Sequence, residues 1–273
     1  MFESKEEHDR VRDAQAAIEN ALDTQRDGNA SYVQPGEDLA IRVRVVRTEN
    51  QLRKAIKVRA DAYLRHNVAC AESLHSAEDD DKAPGSLVLL CESKVTGDAV
   101  GTLRIHTNFE APTYLERDLR LPDFLRNTSI AYVTRLAIAR GTSGAFVKLA
   151  MFKALHRYCF ATQISWILAV AREPVDKEFI RLGFKDILEP GEKFRRPAHF
   201  GDIDVRPLYL SVLQAEHDWR TTMHPLYDFM VVRTHPDIEV FNSVSSAWTT
   251  PRRAQRGRRK ADLAIAGAQV LAV

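Results

Sequence analysis

The alternation of apolar and polar side chains divides the chain into short strands and helices. Residues 39–47 alternate apolar with basic side chains, a pattern typical of a strand with one buried face. Thr48 and Gln51 then form a capping box with Thr48 as the N-cap, which predicts a helix that runs to about His66. The first folded unit is therefore expected to begin as a strand followed by a helix.

The rest of the pattern continues this alternation of strands and helices. Apolar runs at residues 86–93 and 99–107 flank a Gly-Asp pair and predict a β-hairpin. Further on, we expect strands at 129–139, 164–171 and 205–213, a long helix after 144, a short helix between Pro174 and Gly183, and mostly helix from 214 to 232. This order predicts an α/β fold, a mixed central sheet with helices on both faces.

Both ends differ in composition from this central region. Residues 5–22 have the spacing of an amphipathic helix, and residues 27–38 are rich in turn formers. Residues 251–260 carry six basic side chains in ten and precede an apolar end. We therefore divide the chain into an N-terminal helix and linker (1–38), an α/β domain (39–213), a helical extension (214–250) and a basic tail (251–273).

The basic tail allows more than one interpretation. A solvated, disordered segment is the usual meaning of such a charge block, and contact with a membrane surface or an acidic partner is the alternative. No aromatic side chains interleave with the charges, so specific nucleic-acid binding is not expected. The oligomeric state is left open.

Composition says more about the cellular compartment of the protein than about its binding partners. A net charge of +2 selects no class of partner, and three cysteines without paired spacing argue against a disulfide framework. The charged N-terminus is unlike a signal peptide, and no apolar run approaches ~18 residues. We expect a cytoplasmic protein. His217 and His224 lack a third ligand of suitable spacing, so no metal site is predicted.

A turn between a strand and a helix is the first candidate for chemistry. Arg140 follows the strand at 129–139, and the helix starts at about Gly144. Gly141 and Gly144 permit close backbone approach, while Thr142 and Ser143 are residue types that cap helices. Because the free amides at a helix start attract anions, this turn is predicted to hold a phosphate group.

Strand arginines near this turn are the second candidate. On the strand at 99–107, Arg104 and His106 share one face by period-two alternation. On the strand at 129–139, the same alternation puts Arg135 on the face opposite Thr134. An arginine among apolar strand residues needs an anionic partner. Arg104 and Arg135 either form a structural ion-pair network or, as we favour, bind a substrate carboxylate. His106 is either a proton acceptor or a packing residue.

The first helix and the loop after it supply further charged candidates. Arg59 precedes Tyr63 by one helical turn. An acidic loop follows, with Glu78 and Asp81 at the ends of a run of four carboxylates. Arg59 is predicted either to pair with this loop or to take part in substrate binding. The loop is either a solvated charge run or a proton acceptor that acts through water.

These pieces together resemble a known acyltransferase family. The order of elements and the segments VGTLR, TRLAIARG and LGF are similar to the GNAT superfamily of N-acetyltransferases. Within it, the chain most resembles the branch of acyl-homoserine-lactone synthases and long-chain N-acyl amino acid synthases. The matches are the pair Arg59 and Tyr63, the acidic loop, Arg104, and the Thr134-Arg135 pair.

The resemblance implies an N-acyltransferase that moves a long acyl chain from acyl carrier protein, or less readily from coenzyme A, to the amine of an amino acid or similar small molecule. It implies no permanently bound cofactor. Residues 140–144 would hold the phosphate of the donor, Arg104 and Arg135 would orient the reactants, and Arg59 and the acidic loop would close the site. Lys193, Arg195 and Arg196 would be candidates for contact with an acidic carrier protein.

Three departures from the family pattern limit this expectation. Arg140 and Gly144 are four apart, unlike the usual coenzyme A loop Arg/Gln-x-x-Gly-x-Gly/Ala, which favours a carrier-protein arm with one phosphate. No tyrosine precedes the LGF segment, and Tyr132 stands where autoinducer synthases have an acid, which disfavours lactone formation and leaves the base unassigned. The alternatives are an acetyl-coenzyme A-dependent N-acetyltransferase of a small amine or protein, and a catalytically degenerate binding or regulatory module.

Overall fold

The computed structural model describes residues 37–65, 72–141, 144–189, 192, 195 and 204–241. The predicted leader helix at 5–22, most of the linker at 27–38 and the basic tail at 251–273 lie outside the described residues. Within the described part, no helix is both long and apolar enough to cross a membrane.

The described chain folds around one mixed sheet of eight strands in the order β6-β7-β5-β4-β3-β2-β1-β8. Each neighbouring pair from β1 to β4 is antiparallel, β5 is parallel to β4, and β7 is antiparallel to β5. The strands are β1 (Ile41–Val45), β2 (Ser86–Ser93), β3 (Ala99–Thr107), β4 (Ile130–Ile138), β5 (Trp166–Ala171), β6 (Lys185–Asp186), β7 (Arg206–Ser211) and β8 (Ile238–Glu239).

Helices cover both faces of this sheet. They are α1 (Glu49–Leu64), α2 (Tyr114–Asp118), α3 (Gly144–Ala161), α4 (Val175–Arg181) and α5 (Val212–Thr221), with two 3₁₀ turns (Glu72–His75 and Asp79–Asp81) and a π-helical turn (Asp228–Val232). α1 packs on one face against Val88 and Leu90 of β2, and α3 packs on the other face with Leu89 and Cys91 in its core. The predicted α/β fold with helices on both faces is confirmed.

Local signals in the sequence account for most element boundaries. The Thr48 hydroxyl accepts a hydrogen bond from the Gln51 backbone amide at 3.2 Å, and the Gln51 side-chain oxygen accepts one from the Thr48 backbone amide at 3.2 Å. The predicted capping box therefore starts α1. The helix ends at Leu64, two residues before the predicted end. The hairpin strands β2 and β3 have the predicted bounds.

Two features of β4 shape a cleft, the gap between β4 and β5 beyond their last paired residues. Thr102 lies opposite Ala137, but Arg104 lies opposite Thr134, so β4 contains one extra residue, a β-bulge at Arg135. The parallel pairing with β5 ends at Val133 and Ala169, although β4 continues to Ile138. The two strands therefore diverge toward their C-terminal ends, and the bulge lies beside the divergence.

The described part of the helical extension, residues 214–241, packs into the same core as the rest of the sheet. The Trp219 indole donates to the Leu182 carbonyl at 2.9 Å, and Phe229 and Met230 join the core of α3. Lys153, buried on α3, donates to the Arg233 carbonyl at 2.6 Å and to the Phe229 carbonyl. This buried ammonium thus ties the extension to α3.

Candidate active site

A cluster of three arginines and three carboxylates lies between α1 and the sheet. Arg59 comes from the buried face of α1, and its side chain is fully buried. Its guanidinium forms a two-pronged pair with Asp81 at 2.8 and 3.0 Å and also contacts Glu78 at 2.9 Å. The predicted pairing of Arg59 with the acidic loop is therefore present, but in the interior and not on a solvated helix face.

Arg104 brings the second guanidinium from the middle of β3. Its Nη1 lies 3.0 Å from both Glu78 and Asp81, and its Nη2 lies 3.4 Å from Asp80. The side chain is 3% exposed, so this charge is neutralised almost wholly by protein carboxylates. The structure therefore contains the ion-pair network, and the guanidinium of Arg104 is occupied by protein carboxylates.

Arg135 brings the third guanidinium from the bulge in β4. Its Nε and Nη2 atoms donate hydrogen bonds to the two carboxylate oxygens of Glu78, at 2.9 and 2.6 Å. Its guanidinium carbon lies 5.9 Å from the ring centre of Tyr63. The expectation that Arg135 lies on the face opposite Thr134 is wrong. Its φ of 55° belongs to the bulge, which breaks the period-two alternation and turns Arg135 toward the face of Thr134 and Arg104.

The cluster has a buried interior and a partly exposed rim. Asp81 and Arg59 are fully buried, whereas Glu78, Asp80 and Arg135 have side chains that are about a quarter exposed. The solvent-exposed part of the cluster is therefore the rim, which consists of one guanidinium and two carboxylates.

Charge pairing keeps the carboxylates ionised. Burial alone would raise the pKa of Glu78, but the hydrogen bond from Arg135 and the charges of all three arginines outweigh it, so this pKa lies below its usual value. Burial would also raise the pKa of Asp81, but the hydrogen bond and charge of Arg59, with the charge of Arg104, outweigh burial and lower this pKa. Carboxylates stabilised as anions are weak proton acceptors, so the geometry favours structural and orienting roles for these two residues over a base role.

His106 and Thr134 lie beside Arg104. The His106 Nε2 atom is 3.0 Å from the Thr134 hydroxyl and 3.1 Å from Nε of Arg104, and its Nδ1 atom is 2.8 Å from the Ser86 hydroxyl. Burial, followed by the charge of Arg104, lowers the pKa of His106 to about 4, so the ring is neutral at neutral pH.

The structure adds Tyr114 to the site. Its hydroxyl donates to Asp80 at 2.8 Å, and its ring meets His106 edge-on with centroids 5.8 Å apart. Tyr114 belongs to α2, a helix that the sequence analysis did not predict. A capping box formed by Thr113 and Glu116 starts this helix, and its residue types could have been recognised in the sequence.

The predicted phosphate turn follows β4 and leads into α3. Gly141 has a φ of 78°, Arg140 and Gly141 are exposed, and Gly144 is the first residue of α3. Thr142 and Ser143 lie outside the described residues. Their predicted roles and that of the turn remain predictions.

Other predicted contacts and ligands are only partly described. Arg195 is exposed and paired with Glu192, while Lys193 and Arg196 lie outside the described residues. Among the described side chains, no three His, Cys, Asp or Glu residues are arranged to hold a metal ion.

Comparison with known proteins points to one family. The family model described as N-acyl amino acid synthase FeeM matches residues 54–196, a little over half of the chain. The matched segment contains Arg59, the acidic loop, Arg104, Arg135 and the turn before α3. No curated protein sequence matches the chain.

Solved structures show the same fold at low sequence identity. FeeM, an N-acyl amino acid synthase from uncultured soil microbes, is 15% identical with a TM-score of 0.51, and the match covers 70% of this chain and 98% of FeeM. BjaI, a coenzyme A-dependent acyl-homoserine lactone synthase solved with S-adenosylmethionine and isopentyl-coenzyme A, is 14% identical with a TM-score of 0.51, covering 76% and 96%. These likenesses establish the acyltransferase fold.

Proposed function

Because this chain belongs to the N-acyl amino acid synthase FeeM family and is therefore an acyltransferase, we propose that it moves a fatty acyl group from a thioester donor to the amine of an amino acid. The preferred donor in this proposal is an acyl carrier protein, with acyl-coenzyme A as the alternative. The reaction forms an amide bond to the acyl carbon, breaks the carbon–sulfur bond and releases a free thiol.

One observation carries the proposal: Arg135 and Glu78 pair at the partly exposed rim of an otherwise buried ion cluster. An amino acid is a zwitterion, and this rim presents the complementary charges. The acceptor's carboxylate would bind Arg135, and its ammonium group would bind Asp80 or the outer oxygen of Glu78. Since Arg59 and Arg104 are already neutralised inside, they serve to hold Glu78 and Asp81 in position.

The diverging strands fit the donor arm. A pantetheine chain is extended and carries amides, so it suits the gap where β4 and β5 stop pairing after Val133 and Ala169. The turn at Gly141 lies beyond the end of β4, where the phosphate of such an arm would meet the start of α3. The thioester would then lie near the bulge, between the rim and the cleft.

Exposed arginines at one edge of the sheet fit an acidic carrier protein. β4 and β5 are parallel, so their C-terminal ends lie at the same edge, followed by Arg140 and Arg172, both exposed. Arg65, exposed at the end of α1, donates to the Ile138 carbonyl at the end of β4. Three cations around the mouth of the cleft favour an acidic macromolecular donor.

The test is a reconstituted reaction. Purified protein is incubated with hexadecanoyl-carrier protein or hexadecanoyl-coenzyme A and a mixture of amino acids, and products are identified by mass spectrometry with thiol release measured in parallel. We expect one N-acyl amino acid per thiol released, faster with the carrier protein, and at least about a tenfold loss in Arg135→Ala. Arg53→Ala, at an exposed arginine of α1, is the matched control and should keep the wild-type rate. Absence of any N-acyl product with both donors would refute the proposal.

A further inference from the structure

Three polar side chains beside the ion cluster form a connected chain whose role the proposed function leaves open. Ser86 on β2, His106 on β3 and Thr134 on β4 are linked by hydrogen bonds of 2.8 and 3.0 Å across three adjacent strands. His106 is 7% exposed, while Thr134 is half-buried at the bulge. The chain thus runs from the interior of the sheet to the point where β4 and β5 begin to diverge.

The partners of His106 determine which ring nitrogen carries the proton. The Nε atom of Arg104 can only donate a hydrogen bond, and it lies 3.1 Å from Nε2 of His106. Nε2 is therefore the unprotonated acceptor, and Nδ1 carries the hydrogen and donates it to the Ser86 hydroxyl. The Thr134 hydroxyl is then free to donate to Nε2, while its oxygen accepts from Arg104 Nε at 3.3 Å.

The surroundings of His106 keep its ring neutral and also place two carboxylates near it. The ionisable and aromatic groups that face it come from β3, β4, α2 and the 3₁₀ turn at Asp79–Asp81. They are Arg104, Arg135, Asp80, Asp81, Tyr114 and Tyr132. Burial and the two arginines favour the neutral ring, while the two aspartates favour the cation. Asp80 and Asp81 would therefore stabilise a positive charge that forms briefly on His106.

We propose that His106 is a positioning residue that directs the Thr134 hydroxyl into the cleft and takes up its proton while the acceptor amine attacks the thioester. The proposal rests on the proposed function for the identity of the nucleophile. The oxygens of Glu78 and Asp81 already accept hydrogen bonds from guanidiniums, whereas Nε2 of His106 faces the Thr134 hydroxyl at 3.0 Å and can take up its proton.

The acceptor reacts as the neutral amine, because the ammonium group bound at the partly exposed rim first loses one proton to solvent. The remaining proton transfers close within the site. The amine nitrogen bonds to the thioester carbon and becomes cationic, which makes its N–H far more acidic than that of a free ammonium group. That proton passes to the Thr134 oxygen as the Thr134 proton passes to Nε2 of His106. The carbon–sulfur bond then breaks, and the thiolate takes a proton back along the same path, so His106 and Thr134 return to their starting states.

A weak base suffices at this stage because it traps the acidic adduct and does not need to deprotonate the free ammonium group. Arg104 Nε retains the Thr134 oxygen as an acceptor while Nε2 is protonated. The same contacts explain why His106 is kept neutral between turnovers.

The kinetic test compares variants that separate hydrogen bonding from proton transfer. His106→Gln keeps an acceptor for Arg104 but cannot take up a proton, Thr134→Val removes the hydroxyl at similar volume, and Thr134→Ser keeps it. Thr107→Val is the structural control. Thr107 follows His106 on β3, but its hydroxyl donates to the Gly85 carbonyl and not to Ser86, His106 or Thr134. Single-turnover acyl transfer is measured across pH 5 to 9.

We expect His106→Gln and Thr134→Val each to slow transfer by about 100-fold, Thr134→Ser by less than about threefold, and Thr107→Val not at all. Because the two residues act as one unit, the double variant should be no slower than either single one. The pH dependence of the rate should change in His106→Gln and not in Thr107→Val. Wild-type rates in both single variants, or losses that multiply in the double variant, would overturn the proposal.

A measurement without substrate separates this inference from the proposed function. Nitrogen-15 NMR of histidine-labelled protein should show His106 protonated at Nδ1 with Nε2 as a hydrogen-bonded acceptor, and Thr134→Val should shift the Nε2 resonance. A proton on Nε2 would overturn the relay even in an active enzyme. If the tautomer is as expected but no N-acyl amino acid forms, the proposed substrate is at fault.

Discussion

Arg104 and Arg135 lie on different strands, yet both donate to the same oxygen of Glu78, at 3.0 and 2.9 Å. The bulge in β4 makes this possible, because regular alternation would direct Arg135 to the other face of the sheet. Arg59 donates to that oxygen as well, at 2.9 Å. Glu78 is thus the residue through which the buried cluster positions its one exposed guanidinium.

Glu78→Gln should therefore impair both folding and acceptor binding. A neutral amide leaves three guanidiniums with one anion fewer, and removing one partner from a buried pair costs about 3 kcal/mol. With Arg135 no longer fixed, the KM for the acceptor should rise more than kcat falls. Urea unfolding and steady-state kinetics measure the two effects. Glu216→Gln, at an exposed position of α5, is the control; similar losses in both variants would contradict the assignment.

Asp81→Asn tests the fully buried pair with Arg59. Because the pKa of Asp81 lies below its usual 3.8 in the folded state, the stability it contributes is present above about pH 4 and is lost as the pH falls through the folded value. The variant should be about 3–5 kcal/mol less stable at pH 7. Its stability should also depend less on pH below 4. Denaturant titrations between pH 7 and 2 measure the free energy of unfolding of both proteins. The same pH dependence in wild type and Asp81→Asn would contradict the lowered pKa of Asp81.

Gly141 and Gly97 offer a matched pair for the donor turn. Both have positive φ, 78° and 73°, and a Cβ added at either meets no protein atom within 4 Å. Alanine at each should cost a similar ~1–2 kcal/mol of stability from backbone strain. Only Gly141→Ala should raise the KM for the acyl donor, because only that turn is proposed to hold the phosphate. Equal KM values for the acyl donor in the two variants would contradict the proposed phosphate-binding role of the turn at Gly141.

The sequence predicted those parts of the fold that have local causes. The capping box of α1 and the hairpin of β2 and β3 are encoded by neighbouring residues, and these predictions are confirmed. The bulge at Arg135 was missed because Arg135 is not a residue type that usually adopts positive φ, so nothing local marks the break in alternation. Two-residue β8 pairs with β1, almost 200 positions earlier, and no local pattern predicts such a contact.

The same reasoning explains what could be foreseen of the site. Arg59, Arg104 and Arg135 stood out because an arginine on an apolar face requires an anionic partner. That all three share Glu78 depends on the tertiary fold and was not predictable. Lys153 and His235 were not singled out at all, since a lysine within a helical apolar stretch gives no sign that it will be buried by a segment 80 residues away.

His235 leads to a prediction about acid stability. Its Nδ1 accepts from Lys153 at 2.8 Å, and burial followed by the charge of Lys153 lowers its pKa from 6.5 to about 4. The unfolded chain therefore binds a proton that the folded chain rejects between these values, so stability falls as the pH drops from 6.5 to 4, by about 1.4 kcal/mol for each unit of pKa difference. His235→Gln keeps an acceptor for Lys153 and does not titrate, and it should show a smaller loss over this range in thermal and urea unfolding. His217→Gln, at an exposed histidine of α5, should retain the full wild-type loss, and equal pH dependence in all three proteins would show that His235 is not kept neutral by the fold.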